Sequence, residues 1–74
     1  MTDIIRDAAH ATAAVQRHVE NARRGIEEFR LHGHNALGVL LHPAFQLRDL
    51  QTARDELDQA IRVMMHTNWP TPDD

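Results

Sequence analysis

The side chains best equipped for chemistry in this 74-residue chain are its six histidines, His10, His18, His32, His34, His42 and His66. Imidazole nitrogen is a good ligand for zinc or copper. His32, His34 and His42 fall close together, which makes them the candidate ligands of a metal centre. Their spacing matches no strong metal pattern, however. His32 and His34 are two apart, a separation that suits a strand better than a helix, and no carboxylate lies from Leu31 to Gln46 to complete a set. Exposed histidines on loops and helix ends account for the same pattern, so no metal and no other cofactor is expected. Imidazole titrates near neutral pH, which adds a pH-dependent association as a softer reading.

Arginine supplies the second candidate chemistry. Arg17, Arg23, Arg24 and Arg30, joined by His10, are expected to lie on one outer edge of the first helix, a basic stripe that could meet phosphates or an acidic partner. Glu20, Glu27 and Glu28 interleave with it, and companion aromatics for base stacking are missing. The chain as a whole carries net charge −3, whereas nucleic-acid binding favours a basic chain. Nucleic acid is therefore an unlikely partner, and a nucleic-acid-associated regulator ranks behind the histidine-based metal-binding reading as an alternative.

Catalysis has little to work with. The sequence has no cysteine, serine or tyrosine and no glycine-rich phosphate loop, and two helices offer no evident pocket of enzyme size. The expectation is a non-enzymatic protein. The missing cysteines also remove disulfides and thiolate zinc as stabilisers of a small core, which leaves oligomerisation.

The elements that would carry these residues are helical. From about Asp3 to His32 the chain has no proline and one glycine, Gly25, and its first half is rich in alanine, the best helix former. Thr2 or Asp3 suits the N-cap. Ile5, Ala8, Thr12, Val15, Val19, Ala22, Ile26 and Phe29 are spaced 3, 4, 3, 4, 3, 4, 3, the heptad pattern of a helix packed at a shallow angle on another. Gly33 suits a helix C-cap, Asn35 could cap a short helical turn through Leu41, and Pro43 suits the first turn of the next helix. The chain therefore reverses over residues 33–43, through an apolar corner of Leu37, Val39, Leu40 and Leu41. A second helix is expected from about Ala44 to His66, with Leu47, Leu50, Ala53 or Arg54, Leu57, Ile61 and Met64 on its stripe.

The fold class expected is all-α: an antiparallel helical hairpin forming one domain over residues 1–74, with a flexible tail over 67–74. Ile5, Ala8, Thr12, Val15, Val19, Ala22, Ile26, Phe29, Leu47, Leu50, Leu57, Ile61 and Met64 are its candidate dimer seam. A first helix roughly 45 Å long cannot be covered by one shorter helix, so a homodimer, packed as a four-helix bundle, is the expected state. Pairs four apart, such as Glu20 with Arg24 and Asp58 with Arg62, would decorate the outer faces. The partner-binding candidates are Arg17, Arg23, Arg24, Arg30, Leu37, Leu40, Leu41, Phe45 and Trp69; the last either folds back on the bundle end or anchors another protein. No apolar run is long enough to span a membrane and the start does not resemble a signal peptide, so no membrane partner and a cytoplasmic location are expected. The functional expectation is a small helical regulator, adaptor or inhibitor that binds another protein, of the size and composition encoded by bacteria, phages and mobile elements.

Overall fold

The computed structural model describes residues 2 to 70. The N-cap expected at Thr2 and the far end of the tail, residues 71–74, lie outside the described side chains. Two helices account for most of the chain, α1 over Thr2–His32 and α2 over Pro43–His66. They pack against each other along their length as a hairpin with principal extents of 57 × 19 × 13 Å. Among the described residues no strand forms; a single β-bridge, His34 to Leu40, lies in the turn.

The ends of the helices follow from local chemistry. Gly33 takes a left-handed conformation with φ of 69°, which costs glycine little and ends α1. Its N–H returns to the Arg30 carbonyl at 3.1 Å. The segment expected as a short helical turn is instead a tight loop. Asn35 N–H donates to the Val39 carbonyl at 2.8 Å, while the Asn35 side-chain oxygen accepts the N–H groups of Leu37 and Val39 at 2.9 and 3.0 Å. Gly38, at φ of 80°, supplies the other left-handed residue. An asparagine side chain that substitutes for backbone partners favours such turns over helix, which is why Asn35 organises a loop here. Proline at the first position of α2 gives up an N–H that no helix would use.

The contact between the helices is built from small residues. Ala8, Ala22, Ala53 and Ala60 are the buried apolar side chains, joined by buried Gly25 and by Gln46, which is 1% exposed. A Cβ built on Gly25 would stand 3.0 Å from the Asp49 carbonyl oxygen and 3.5 Å from the Ala53 Cβ, so the two backbones approach closely at this level. Val15 and Phe29 are half-buried beside them.

The heptad stripe read from α1 is therefore two rows. Ala8, Val15, Ala22 and Phe29 face α2, whereas Ile5, Thr12, Val19 and Ile26 are exposed in the single chain. On α2 the row facing α1 is Gln46, Ala53 and Ala60, while Leu47, Leu50, Leu57, Ile61 and Met64 are exposed. Of the expected α2 stripe, Ala53 is the member that packs within the hairpin; Arg54 points outward and its Nε lies 3.7 Å from Asp55.

Candidate protein-binding surfaces

Side chains advance about 100° per residue around a helix. The exposed row of α1, three or four residues from the row that meets α2, consequently sits roughly 50° around the helix from it, and the exposed row of α2 is displaced from its own buried row in the same rotational sense. In two antiparallel helices facing each other, equal displacements of this kind bring both rows to one side. Ile5, Val19, Ile26, Leu50, Leu57, Ile61 and Met64 thus form one long apolar face. The opposite side carries two shallow polar grooves. The larger, about 510 Å³, includes His18, Asp55, Asp58, Arg62 and His66; the other, about 290 Å³, includes Arg24, Glu28, Asp49 and Glu56.

The area left on the surface is large for a chain of this size. A compact protein of 8.5 kDa exposes about 4,650 Å² by the usual scaling with mass. This one exposes 6063 Å². Its radius of gyration, 17.1 Å, likewise exceeds the roughly 11 Å of a compact domain of equal length. Most of its leucine, isoleucine and methionine side chains are exposed, while alanine fills the core.

A separate apolar surface occupies the tip of the hairpin. Leu31 is 78% exposed and Leu37 87%, with Val39, Leu40, Leu41 and Phe45 also on the surface. The loop bonds described above hold these side chains outward. A groove of about 250 Å³ opens beside them, lined by Phe29, Arg30, Gly33, His34, Leu40 and Gln46.

Gln46 is the residue that sequence reasoning missed. Its side-chain nitrogen donates to the carbonyls of Gly33 at 2.9 Å and Phe29 at 3.3 Å, and its oxygen accepts the His42 N–H at 3.0 Å. One side chain therefore satisfies carbonyls that the end of α1 leaves free and an N–H at the start of α2. It reaches back to the residue before its own helix as the acid or amide of a capping box does. Its seven-residue spacing to Ala53 and Ala60 places it on the buried row, the one sequence signal that could have marked it.

The histidines divide by location. His18 Nδ1 lies 2.6 Å from Glu56 Oε2 and His32 Nδ1 lies 2.9 Å from Asp49 Oδ2. Among the described residues, these are the two histidine–carboxylate contacts that join α1 to α2. The His18 contact, followed by burial acting in the opposite direction and by a hydrogen bond from Asn21, sets the Glu56 carboxyl below its usual range. Of the three candidate metal ligands, His32 and His42 meet edge to face with ring centroids 5.6 Å apart, and Phe45 stacks on His32 at 6.2 Å. His34 sits in the loop bridge. Among the described residues, no group of three or more histidine, cysteine, aspartate or glutamate side chains is arranged to hold a metal ion.

The arginines fall in two rows rather than on one edge. Arg17 and Arg24 are one heptad apart, as are Arg23 and Arg30, and the rows lie about a third of a turn from each other. Arg23 pairs with Glu20 at 2.6 Å and Arg30 with Glu27 at 3.2 Å. These pairs are three residues apart, where the sequence suggested four. The hydrogen bond from Arg23 lowers the Glu20 pKa and, reciprocally, raises that of Arg23. Trp69 folds back, its indole N–H donating to the Met64 carbonyl at 2.9 Å. No helix among the described residues is long and apolar enough to cross a membrane.

Comparison with known proteins finds no matching family model, no matching curated protein and no matching solved structure.

Proposed function

We propose that this chain is a non-enzymatic protein–protein interaction module, a small helical regulator, adaptor or inhibitor whose working form is a pair of hairpins packed as a four-helix bundle. The observation that carries the reading is the single long apolar face shared by α1 and α2. A helix pair whose core is alanine and whose leucines and isoleucines point outward has its main hydrophobic stabilisation still to gain. A second copy supplies a surface of the same length and the same chemistry, and a two-fold pairing covers both faces at once. The excess area, about 1,400 Å² per copy, would give an interface of up to about 2,800 Å² in total, beyond the 1,200–2,000 Å² of standard stable interfaces.

The polar face and the tip then remain on the outside of the bundle, where a protein partner would meet them. A cytoplasmic setting fits this reading, since it needs neither disulfides nor a membrane.

Sedimentation equilibrium of the protein and of its Leu50→Asp and Leu57→Asp variants tests the proposal. The expected result is a dimer for the protein and monomers for both variants, because each charge would be buried unpaired between the hairpins. A monomer at millimolar concentration, or dimers that survive both substitutions, would overturn it.

A further inference from the structure

The chain is acidic overall but its hairpin tip is not. From Phe29 to Arg48 no carboxylate occurs, and the groups that carry or can carry charge are Arg30, Arg48, His32, His34 and His42. All 11 acidic residues lie outside this stretch. With histidines neutral, the formal charge is +2 within the stretch and −5 outside it.

This basic segment coincides with the second apolar surface of the molecule. Leu37, Val39, Leu40 and Leu41 belong to the loop between the helices, beyond the last residue of α1 and before the first of α2. An interface built on the flanks of the helices would leave the end of the loop uncovered. Nor is the loop slack. The Asn35 side chain, the His34–Leu40 bridge and the Leu41 N–H bonded to the Gly33 carbonyl at 3.3 Å hold it in one shape. An ordered loop that projects large aliphatic side chains into water fits a recognition surface.

We infer that the hairpin tip is the docking site for an acidic amphipathic segment of a partner protein. An apolar side chain of that segment seats in the groove between Phe29, Gly33, Leu40 and Gln46, and its neighbours lie against Leu37. Its carboxylates face Arg30 and His34 on the rim. Arg30 uses one N–H on Glu27, and the remaining guanidinium donors suit a carboxylate. This inference rests on the protein-binding reading and adds the location and the chemistry of the partner. Charge decides the occupant: Arg30 has guanidinium donors beyond the one held by Glu27, so a carboxylate finds a partner there that a neutral apolar segment would not use, and a basic segment would be repelled.

The test uses the full chain as bait in an unbiased selection from a library of random displayed peptides. The bait's mass in solution is measured in the same buffer. Enriched peptides are expected to combine aspartate or glutamate with leucine, isoleucine or phenylalanine. Their synthetic versions should bind at least about tenfold more weakly to Leu37→Ser/Leu40→Ser. Leu37→Ser alone alters a side chain that is 87% exposed and leaves the loop bonds in place, so its effect reports contact rather than folding. Arg30→Glu should abolish the acidic preference. Enriched peptides without an acidic bias, binding indifferent to these variants, or no enrichment at all would overturn the inference. So would tip-dependent binding to phosphatidylserine vesicles in place of peptides. If the bait is a dimer and the selection fails, the tip assignment falls alone; if the bait is a monomer, the bundle reading falls first.

Discussion

Substitution of Gly25 gives effects of opposite sign in the isolated helix and in the hairpin. Glycine inside a helix costs about 1 kcal/mol relative to alanine. A peptide of residues 2–32 should therefore become more helical when Gly25 is replaced by alanine. In the hairpin the added methyl would stand 3.0 Å from the Asp49 carbonyl oxygen, whereas comfortable carbon–oxygen approaches lie at about 3.3–3.6 Å. The helices must separate by a few tenths of an ångström, and the neighbouring contacts of Ala22 and Ala53 loosen with them. Forcing extra methyl groups into a packed site costs about 1–3 kcal/mol, against a propensity gain of about 1 kcal/mol. The net expectation for Gly25→Ala is a loss of up to about 2 kcal/mol, a fall in Tm of several degrees for a domain of this size. Gly25→Leu, which adds three more carbons at the same point, should lose considerably more. Circular dichroism of the peptide and thermal melts of the full chain at matched concentration provide the two readings. A full chain stabilised by about 1 kcal/mol, in parallel with the peptide, would refute the close approach of α1 and α2 at this level.

Gln46→Leu keeps the volume of the buried side chain but removes the Gln46 partner of the His42 N–H and of the Phe29 carbonyl; a cost of about 2–4 kcal/mol is expected from two unsatisfied groups, and a melt within about 0.5 kcal/mol of the parent would contradict the role given to Gln46. The Glu56 pKa is lowered chiefly by the contact with His18, so its contribution to stability is fully present above the ordinary glutamate value and is lost as the pH falls through the lowered folded value. Thermal melts should accordingly show Glu56→Gln less sensitive to acid than the parent across that window, and parallel profiles would remove the pair from the account. Val19 is 47% exposed in the single hairpin, where an aspartate would stay hydrated; in the bundle it would be an unpaired charge at the centre of the face, costing several kcal/mol. Val19→Asp should thus dissociate the dimer and, because the alanine core alone holds the helices weakly, remove most of the helical signal. Unchanged mass and circular dichroism would take Val19 off the interface.

The helices and the reversal between them were legible because their signals are local. Heptad periodicity, an alanine-rich start and a proline at the first position of α2 each act within a few residues. What the periodicity does not contain is the division of one stripe into two surfaces. Ile5, Thr12, Val19 and Ile26 alternate with Ala8, Val15, Ala22 and Phe29 in one regular pattern, and residue size does not separate the rows, since Val15 and Phe29 stand in the row that meets α2 and Thr12 in the row left open. On α2 the sequence reading followed the large residues, Leu47 to Met64, with Ala53 or Arg54 between them, whereas the inner seam is made by Ala53 together with Ala60 and Gln46. A close alanine and glycine seam gives a weak hydrophobic signal, since its contribution comes from backbone approach rather than side-chain bulk.

The loop and the polar contacts were less accessible. Asn35 has the residue type for either a helix cap or a turn, and bonds to Leu37 and Val39 decide between them. The two histidine–carboxylate pairs join residues 38 and 17 positions apart, so their partners could not be read from spacing along one helix. The tip surface was the more legible of the two candidate sites: Leu37, Leu40, Leu41 and Phe45 are marked by composition. The absence of carboxylates around them is equally plain in the sequence, whereas the projection of the loop depends on the bonds of Asn35.

The most direct measurement is the native mass spectrum of the protein at micromolar concentration without an affinity tag. A metal-free species at twice 8.5 kDa is the predicted result, and it would place the apolar face of one hairpin against that of another. A monomer that retains full helicity would contradict the account, because it would show that the open face of α1 and α2 needs no cover.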